Sequence, residues 1–312
     1  MQSLAQPGFR VAPGYFTGNN AYSIAVQDYN GDGILDMAVV NYNNGNPGTV
    51  SILIGNGDGT FKPAVNYTTG KGPRFIAVGD FNKDGKWDLV TANELANSVT
   101  VLLGNGDGTF AAQPETPVGS HPWNVQVGDF NQDGNLDVVT ADNTANSVQI
   151  LLGNGDGTFS SQTNTYPTGP QSQNNGQGVG PIFTRVADLN NDGILDLTVA
   201  NFSQISSAGY NIAVLIGNGD GTFQSYVPYS TNSNAAVSIV ATDLNGDGKV
   251  DLAVANELGA QTGGVTDGNV TIFLGNGDGT FGTGTNYSVG LGSHPRSVAA
   301  YQFTSTAWLT SS

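Results

Sequence analysis

Two short motifs recur through this chain at a spacing of about 50 residues. An acidic nonamer begins at residues 28, 80, 129, 188 and 243, and its second copy reads DFNKDGKWD. A second motif, GNGDGTF, begins at residues 55, 104, 153, 217 and 275. A period in this range is typical of the four-stranded blades of a β-propeller. We therefore expect one array of small units rather than independent globular cores.

Each unit has the pattern of four short strands separated by turns. In the second unit the first three strands are RFIAVGD, DLVTAN and SVTVLLG, and a fourth strand resembles KPAVNYTTG of the first unit. Runs rich in Val, Ile and Thr between Gly, Asn and Asp predict strands and hairpins. No sustained 3.6-residue period is present, so almost no helix is expected. The third strands are apolar on both faces, which favours blades stacked face to face. The predicted fold class is all-β, a propeller of four-stranded antiparallel blades.

The two ends of the chain bear on how such a ring closes. Residues 8–28 align with residues 59–80, so the chain is expected to begin with a fourth strand and to end with a first strand that lacks a nonamer. Six blades closed by the N-terminal strand is the favoured arrangement, and a fragment of a seven-bladed ring is the alternative. One domain is expected over 1–312, with units near 8–60, 61–109, 110–158, 159–222 and 223–280 and a half-unit at 281–312.

Connections in an up-and-down meander alternate between the two ends of a sheet. The nonamer joins strands one and two, and GNGDGTF joins strands three and four, so both are expected on one rim. The opposite rim then collects the connections between strands two and three and between blades.

The nonamer has the chemistry of a loop that wraps a hard cation. Oxygen donors stand at positions 1, 3, 5 and 9, Gly at position 6 permits a sharp turn, and the carbonyl of position 7 supplies another oxygen, as in the first half of an EF-hand. Position 12 is a strand residue instead of the bidentate Glu of an EF-hand, so we expect calcium chemistry on a β-hairpin. Magnesium is less favoured, because a flexible loop of five protein oxygens suits the larger shell of calcium. The predicted ligands are Asp28, Asn30, Asp32, Ile34 and Asp36; Asp80, Asn82, Asp84, Lys86 and Asp88; Asp129, Asn131, Asp133, Asn135 and Asp137; Asp188, Asn190, Asp192, Ile194 and Asp196; and Asp243, Asn245, Asp247, Lys249 and Asp251.

In the second loop, Lys86 is expected to act through its carbonyl and not its ammonium, and Trp87 is expected to pack against the blade. The alternative for all five loops is that they are ordinary acidic turns, since Asp, Asn and Gly favour turns. Recurrence five times at blade spacing favours calcium.

Charge limits the possible partners. The chain has 25 acidic and 9 basic residues and a net charge of −16. This balance argues against nucleic acid, which needs a basic footprint, and against adhesion to anionic membranes. About five structural Ca²⁺ ions would neutralise most of the excess, because each nonamer concentrates three acids.

Several other classes lack their sequence signals. No apolar run approaches the ~20 residues of a membrane span, and the start, MQSLAQPGFR, has neither a basic nor an apolar signal-peptide region. The chain has no Cys, which excludes disulfides and thiolate sites. His-Glu-x-x-His and Gly-x-Ser-x-Gly motifs are absent, and GNGDGTF leads into a strand, which argues against a nucleotide loop.

The nonamer, the Gly-Thr-Phe turn and the period together resemble the FG-GAP/VCBS repeats of integrin α-chain propellers, certain fungal lectins and many bacterial secreted proteins, over roughly residues 8–303. The resemblance implies Ca²⁺ on one rim and ligands on the opposite rim or between blades. It departs from the family in two respects: the C-terminal half-unit lacks a calcium loop, and the usual ring has seven blades. Calcium sites of extracellular affinity, with Kd of order 10⁻⁴–10⁻³ M, imply a secreted or cell-surface protein.

Ligand recognition is expected on the rim opposite calcium, where the repeat is least regular. The connections 168–181, 201–211 and 256–269 are long and polar, which fits a binding face and equally fits drift in exposed loops. His121 and His294 occupy equivalent places in GSHPWN and GSHPRS, where a structural turn is the commoner role. The candidate ligand-binding residues are Tyr22, Tyr42, Arg74, Glu94, His121, Trp123, Asn124, Phe202, Tyr210, Glu257, His294 and Arg296.

Three functions are compatible with these features. The first is a calcium-stabilised extracellular module that binds glycan or protein ligands. The second is a polysaccharide lyase or hydrolase that uses His121, Arg74 or paired carboxylates on the same rim. The third is an architectural repeat module of a larger surface protein.

Overall fold

The computed structural model describes residues 13–169, 180–202, 211–258, 267–290 and 292–300. Across these residues the regular structure is β, with no α-helix and one short 3₁₀ turn at Asn43–Gly45. The strands are β1 (Ala21–Gln27), β2 (Asp36–Asn41), β3 (Pro47–Leu53), β4 (Val65–Lys71), β5 (Pro73–Gly79), β6 (Asp88–Asn93), β7 (Ser98–Gly104), β8 (Phe110–Ala112), β9 (Thr116–Pro117), β10 (Pro122–Gly128), β11 (Asp137–Asp142), β12 (Ser147–Gly153), β13 (Phe159–Pro167), β14 (Gly180–Ala187), β15 (Asp196–Phe202), β16 (Ile212–Leu215), β17 (Val227–Tyr229), β18 (Asn234–Thr242), β19 (Asp251–Leu258), β20 (Asn269–Phe273) and β21 (Thr285–Ser288).

These strands form five antiparallel sheets in which neighbours along the chain are neighbours in space. The strand orders are β1-β2-β3-β4, β5-β6-β7-β8, β10-β11-β12-β13, β14-β15-β16-β17 and β18-β19-β20-β21. In the second sheet the fourth position is shared by two short strands, because β9 also pairs with β7. The predicted all-β fold and the four-stranded meander of each unit are confirmed.

The chain divides into two compact units. The first comprises Met1–Val127, Gly134–Thr140 and Gln149–Thr163, and the second comprises Gly128–Asp133, Ala141–Val148 and Asn164–Ser312. The boundary passes through the third sheet. In the first unit β1 and β2 pack against β5, and in the second unit β14 and β15 pack against β18.

The core of each unit lies between neighbouring sheets. In the first unit Val40, Val50 and Ile52 pack with Leu89 and other residues of the second sheet. The second unit has an equivalent cluster that includes Ala200, Ile212, Ile239 and Phe273. The third strands of the first four sheets are mostly buried, as Val50 to Leu53 are in β3, whereas β20 is only partly buried. Burial of both faces accounts for the apolar residues on both sides of these four strands.

Successive sheets are also joined at the nonamers. In the first three nonamers the residue at position 2 is buried, and its carbonyl accepts a hydrogen bond from a GNGDGTF glycine of the following sheet. Gly108 N donates to Tyr29 O at 3.2 Å, and Gly157 N donates to Phe81 O at 3.0 Å. The ring of Tyr29 also packs edge-to-face on Phe110, with centroids 5.6 Å apart. These three nonamers thus contact the next sheet as well as their own.

The predicted strands at the two chain ends are not formed in the described residues. Residues 13–20 contain no strand, yet Tyr15 accepts a hydrogen bond from Phe61 N at 2.9 Å and packs on its ring. Tyr229, at the end of a fourth strand, makes the same contacts with Phe281. Residues 292–300 form no strand either, and the prediction of a first strand there is wrong over these residues. The half-unit has no nonamer hairpin to bring a second strand beside them.

Candidate functional site

Position 9 of every acidic loop is a buried carboxylate that links the two repeated motifs. Asp88 Oδ2 accepts a hydrogen bond from Phe81 N at 2.8 Å, and its Oδ1 accepts one from Gly104 N at 2.7 Å. Asp36, Asp196 and Asp251 make the equivalent pair of bonds. The nonamer and GNGDGTF therefore meet at one end of each sheet, as the parity of the connections predicts. We call it the acidic-loop end.

Burial affects the pKa of two of the position 9 carboxylates, Asp88 and Asp196. All five of these aspartates are 0% exposed. Removal from water raises the pKa of Asp196 to about 6, although the N–H groups of Gly217 and Leu189 oppose the shift. Burial likewise raises the pKa of Asp88. These carboxylates hold the loops together at some cost in desolvation.

Positions 1, 3 and 5 fold the loop around their own side chains. In the first loop Asp28 accepts N–H groups from Gly31, Asp32 and Gly33 at 2.8, 3.2 and 2.8 Å. Asp32 accepts the Ile34 N–H at 2.8 Å. Gly33, at position 6, has φ +81°, a left-handed conformation that favours glycine. The Gly33 N–H above all keeps the pKa of Asp28 below its ordinary value.

The donor set of each loop fits a hard cation in chemistry. It consists of three carboxylates and one amide oxygen, which is the oxygen-rich set that calcium prefers. No group of three or more His, Cys, Asp or Glu side chains among the described residues is already arranged as a metal site. The carboxylate oxygens accept backbone N–H groups but retain further lone pairs. The calcium assignment of the 25 predicted ligands therefore remains a prediction.

The second loop differs from the others. Lys86 Nζ lies 3.2 Å from Asp84 Oδ2, so its ammonium engages the loop and the expectation that only its carbonyl matters is incomplete. Trp87 remains 43% exposed, so the packing predicted for it covers only part of the side chain.

At the opposite end of the sheets, first strands carry a β-bulge at one repeat position. The register between β1 and β2 shifts between Ala21 and Ser23, which makes Tyr22 the bulged residue. The register between β5 and β6 shifts between Pro73 and Phe75, at Arg74. The fourth and fifth sheets show the same shift around residues 182 and 237. Bulges re-aim the side chain of the extra residue, so this position presents a different residue in each repeat.

Tyr22, Tyr42, Arg74, Glu94 and Trp123 meet at this end of the first unit, and we call them the arginine–aromatic cluster. The Arg74 guanidinium carbon lies 3.6 Å from the Trp123 ring centroid and 5.1 Å from the Tyr22 centroid. The rings of Tyr22 and Tyr42 are 5.1 Å apart. Arg74 Nη1 donates to Glu94 Oε2 at 3.0 Å. Burial, followed by a hydrogen bond to Glu94, raises the pKa of Tyr42 to about 12.

The backbone beneath the cluster is held by a glycine and a buried amide. Gly72 has φ +65°, and a Cβ there would lie 2.7 Å from Leu95. Its carbonyl accepts the Glu94 N–H at 2.8 Å. Asn93, fully buried at the end of β6, donates to Ser98 and Thr100 hydroxyls. Glu94 therefore leaves β6 in a fixed direction toward Arg74.

A second Arg–Glu pair lies in the other unit without aromatic partners. Arg296 Nη2 is 2.5 Å from Glu257 Oε1, and the Arg296 side chain is 76% exposed. His294 Nδ1 lies 3.0 Å from the Glu257 carbonyl. Phe202 is half-buried at the end of β15, and Tyr210 lies outside the described residues. The structure thus pairs Arg296 and His294 with Glu257, but among the described residues it does not place these side chains against aromatic rings.

Two of the candidate ligand-binding residues, His121 and Asn124, lie in positions typical of a structural role. His121 has φ +55°, and its N–H donates to Asn97 Oδ1 at 2.8 Å, as expected for a residue that forms a turn. Asn124 is 0% exposed, so it offers no surface to a ligand in this structure. Asn124 was a candidate because an amide can hydrogen-bond a ligand, but its side chain lies inside the sheet packing.

Comparison with known protein families identifies the same repeat that the sequence displays. The model of the FG-GAP-like repeat family matches residues 28–91, 80–140, 129–199 and 188–254. A search of curated protein sequences gives no significant match.

Solved structures show a shared fold at low identity. A lectin of Agrocybe aegerita, described as recognising non-reducing terminal N-acetylglucosamine, is 22% identical with a TM-score of 0.51, over 84% of this chain and 65% of the lectin. The periplasmic gluconolactonase PpgL of Pseudomonas aeruginosa is 19% identical with a TM-score of 0.59, over 85% of this chain and 69% of the enzyme. A putative 6-phosphogluconolactonase of Bacteroides uniformis is 17% identical with a TM-score of 0.56, over 88% and 73%. Fold neighbours therefore include both a binding protein and enzymes. Among the described residues there is also no helix of the length and hydropathy required to cross a membrane.

Proposed function

This chain belongs to the FG-GAP-like repeat family, and we propose that it is a calcium-stabilised extracellular β-propeller that binds a neutral glycan at the arginine–aromatic cluster. In this proposal the five sheets are blades, and six blades close through the N-terminal segment. The contact of Tyr15 with Phe61, which matches the contact of Tyr229 with Phe281, supports a fourth-strand role for that segment.

Calcium has a stabilising role in this proposal. Each acidic loop supplies carboxylate and amide oxygens and the carbonyl of position 7, a donor set that suits Ca²⁺. At ~2 mM free calcium and a Kd of ~0.2 mM, one site stabilises the folded state by about 1.4 kcal/mol. Five independent sites give roughly 7 kcal/mol, which is comparable to the stability of a whole domain. Sites of this affinity would be filled only where free calcium is near the millimolar range, so the proposal includes an extracellular location.

The observation that carries the glycan proposal is that the two charged groups of the cluster, Arg74 and Glu94, are paired beside the exposed ring of Tyr22. Arg74 is bound to Glu94, so the cluster has no net charge. Tyr22 is 52% exposed and presents ring surface on which the C–H face of a sugar can stack. The polar groups of the cluster around this ring can replace some of their present hydrogen bonds by hydrogen bonds to sugar hydroxyls. A neutral sugar fits this balance better than an anionic one.

The lectin of similar fold supports a neutral amino sugar as the first ligand to test. Its described ligand, terminal N-acetylglucosamine, has hydroxyls, an amide and an apolar face but no charge. Likeness at 22% identity is a likeness of fold, so the support comes from the cluster chemistry and the lectin only orders the candidates.

A glycan array with two matched tyrosine variants tests this function. The wild-type protein should bind neutral glycans, and Tyr22→Ala should lose that binding. Tyr287→Ala removes a tyrosine that is 56% exposed on β21, outside the cluster, and should bind as the wild type does. No glycan binding by the wild type, or equal loss in both variants, contradicts the proposal.

An enzyme is the second candidate, because two fold neighbours are lactonases. Glu94 would be the acid or base of the cluster, but it already accepts bonds from Arg74 and Tyr42. Incubation with lactones and polysaccharides, followed by assays for ring opening, reducing ends and unsaturated products, separates the two. Product that requires Glu94 would favour the enzyme.

A further inference from the structure

We propose that the second acidic loop carries its own competing cation, the ammonium of Lys86, and is consequently the weakest of the five calcium sites. The inference rests on the proposed calcium binding and adds an order of filling among the loops. It concerns two residues, Lys86 at position 7 and Asp84 at position 5.

The partner of the position 5 carboxylate distinguishes the second loop. In the first and fourth loops, Asp32 Oδ2 and Asp192 Oδ2 accept the neutral amide of position 3 at 3.0 and 2.8 Å. The third and fifth loops have the same bond at 3.0 and 3.3 Å. In the second loop, Asp84 also interacts with the position 3 amide of Asn82, but its Oδ2 has in addition the Lys86 ammonium at 3.2 Å. A full positive charge therefore stands beside a predicted calcium ligand.

The charge of the whole loop has the same trend. The first, third and fourth nonamers contain three Asp and no Lys, and have a net charge of −3. The second and fifth nonamers each have a lysine at position 7, Lys86 and Lys249, which reduces the negative charge of these loops. The second nonamer also contains Lys83, but the Lys83 ammonium extends toward Gly134 of the third loop. The affinity of such sites depends on the charge of their ligands, so a lysine that contacts a carboxylate of its own loop is expected to weaken the site.

Lys249 provides an internal comparison at the same position 7. In the described residues Lys249 forms no ion pair with its own loop, and its charge acts on the pKa of the turn residue Asp278. A lysine at position 7 is therefore not sufficient for competition. The contact with the position 5 carboxylate is what sets Lys86 apart.

Competition by Lys86 should weaken the site without abolishing it. The side chains of Lys86 and Asp84 are 42% and 32% exposed, so the flexible ammonium can leave when an ion binds. The ion must displace it and then tolerate a positive charge a few ångströms away. By Coulomb's law in a water-like dielectric, the penalty corresponds to about a tenfold loss in affinity. The second site would then fill over a higher range of calcium concentration than the other four sites.

Trp87 makes the second loop separately observable. It follows Lys86 directly and is exposed, whereas the first, third and fourth loops have leucine at this position. Terbium binds calcium sites and luminesces when an adjacent indole is excited, so tryptophan-selective excitation reports the second loop. Trp87→Leu should remove that signal and so assign it.

The test is a terbium titration of four proteins, read through Trp87. Lys86→Ile, which installs the residue of the first and fourth loops, should lower the midpoint about tenfold relative to wild type. Lys86→Arg should titrate like wild type, and Lys62→Gln, a lysine outside the loops, controls for the change in total charge. Lys86→Gln replaces the isoleucine variant if circular dichroism shows that the latter does not fold.

Calcium uptake counted by native mass spectrometry separates failure of the inference from failure of the calcium proposal. Equal midpoints for wild type and Lys86→Ile overturn the inference, since the loops bind but Lys86 does not compete. Calcium uptake with no Trp87 signal in either protein also overturns it, because the second loop is then not a site. No uptake by any loop overturns the calcium proposal itself.

Discussion

The two ends of the sheets contain repeated positions of opposite character. At the acidic-loop end, Asp36, Asp88, Asp137, Asp196 and Asp251 are all fully buried and occur in every complete repeat. At the other end, the bulged position holds Tyr22 in one repeat and Arg74 in the next, and residue 182 is Ile and residue 237 is Val. The backbone is repeated at both ends, but only one end repeats its side chains.

This difference separates what holds the fold from what can recognise a ligand. A carboxylate bonded to two buried N–H groups cannot be exchanged without leaving those groups unsatisfied. A side chain on a bulge is free to change, because the bulge itself is a backbone feature. We therefore expect substitutions at the acidic-loop end to change stability and substitutions in the arginine–aromatic cluster to change binding.

The largest effect of a single substitution should come from Asp88→Ala. Its removal leaves the N–H groups of Phe81 and Gly104 buried without their acceptor, which should cost about 3 kcal/mol or more in the free energy of unfolding. Urea unfolding followed by circular dichroism measures it. Asp107→Ala, in an exposed turn, should cost well under half as much. Similar losses in the two variants would mean that position 9 is an ordinary turn residue.

Tyr22→Ala should have the reverse profile. The ring is 52% exposed, so its loss should change the unfolding free energy by less than about 1 kcal/mol. Removal of an aromatic anchor from a binding site costs about 2 kcal/mol, or about thirtyfold in Kd. Titration calorimetry with the best array glycan measures this. An unchanged Kd would place the binding site elsewhere.

The two Arg–Glu pairs should differ in their contribution to stability. Arg74 is only 19% exposed and stacks on Trp123, so Arg74→Ala should cost about 2 kcal/mol. Arg296 is 76% exposed, and Arg296→Ala should cost about 0.5 kcal/mol or less. Thermal unfolding of both variants checks the ranking. Equal costs would show that the aromatic rings add nothing to the first pair.

A further expected effect is a pH dependence opposite in sign to that of most paired carboxylates. Burial raises the pKa of Asp196 in the folded state to about 6 from an ordinary value of 3.8, so the folded state holds more protons between these values. Its contribution to stability is present below pH 3.8 and is lost as pH rises through about 6. In calcium-free buffer, Asp196→Asn should reduce the decline in stability between pH 4 and 6. The same decline in stability with pH in the wild type and in Asp196→Asn would contradict the assignment of this pH dependence to Asp196.

The sequence predicted the fold well because its signals were repeated. Five copies of the nonamer and of GNGDGTF set the strand boundaries, and parity alone placed both motifs at one end of each sheet, as the bonds of Asp88 to Phe81 and Gly104 confirm. Burial of the third strands followed from their apolar residues on both faces. Period and pattern are properties that a single sequence displays directly.

The site was less predictable, because side-chain partners depend on the bulge and on neighbouring sheets. Tyr22, Arg74 and Trp123 were candidates as exposed groups, but their stacking could not be read from one strand at a time. Asn124 adjoins Trp123 and is buried by strand alternation. Aligning the repeats on the residue after strand two, which is Tyr42 in the first and Glu94 in the second, would have suggested the pairing with Arg74. The Lys86–Asp84 contact had no comparable signal, because Lys249 at the same position makes no such pair.

Stabilisation of the acidic-loop end by calcium is tested most directly by thermal unfolding of the wild-type protein with ~2 mM calcium and with EGTA. A stabilisation of roughly 7 kcal/mol in a chain of 312 residues corresponds to a rise in Tm of about 10 °C. Magnesium at the same concentration should give a much smaller rise. A midpoint that is the same in calcium and in EGTA would contradict the account.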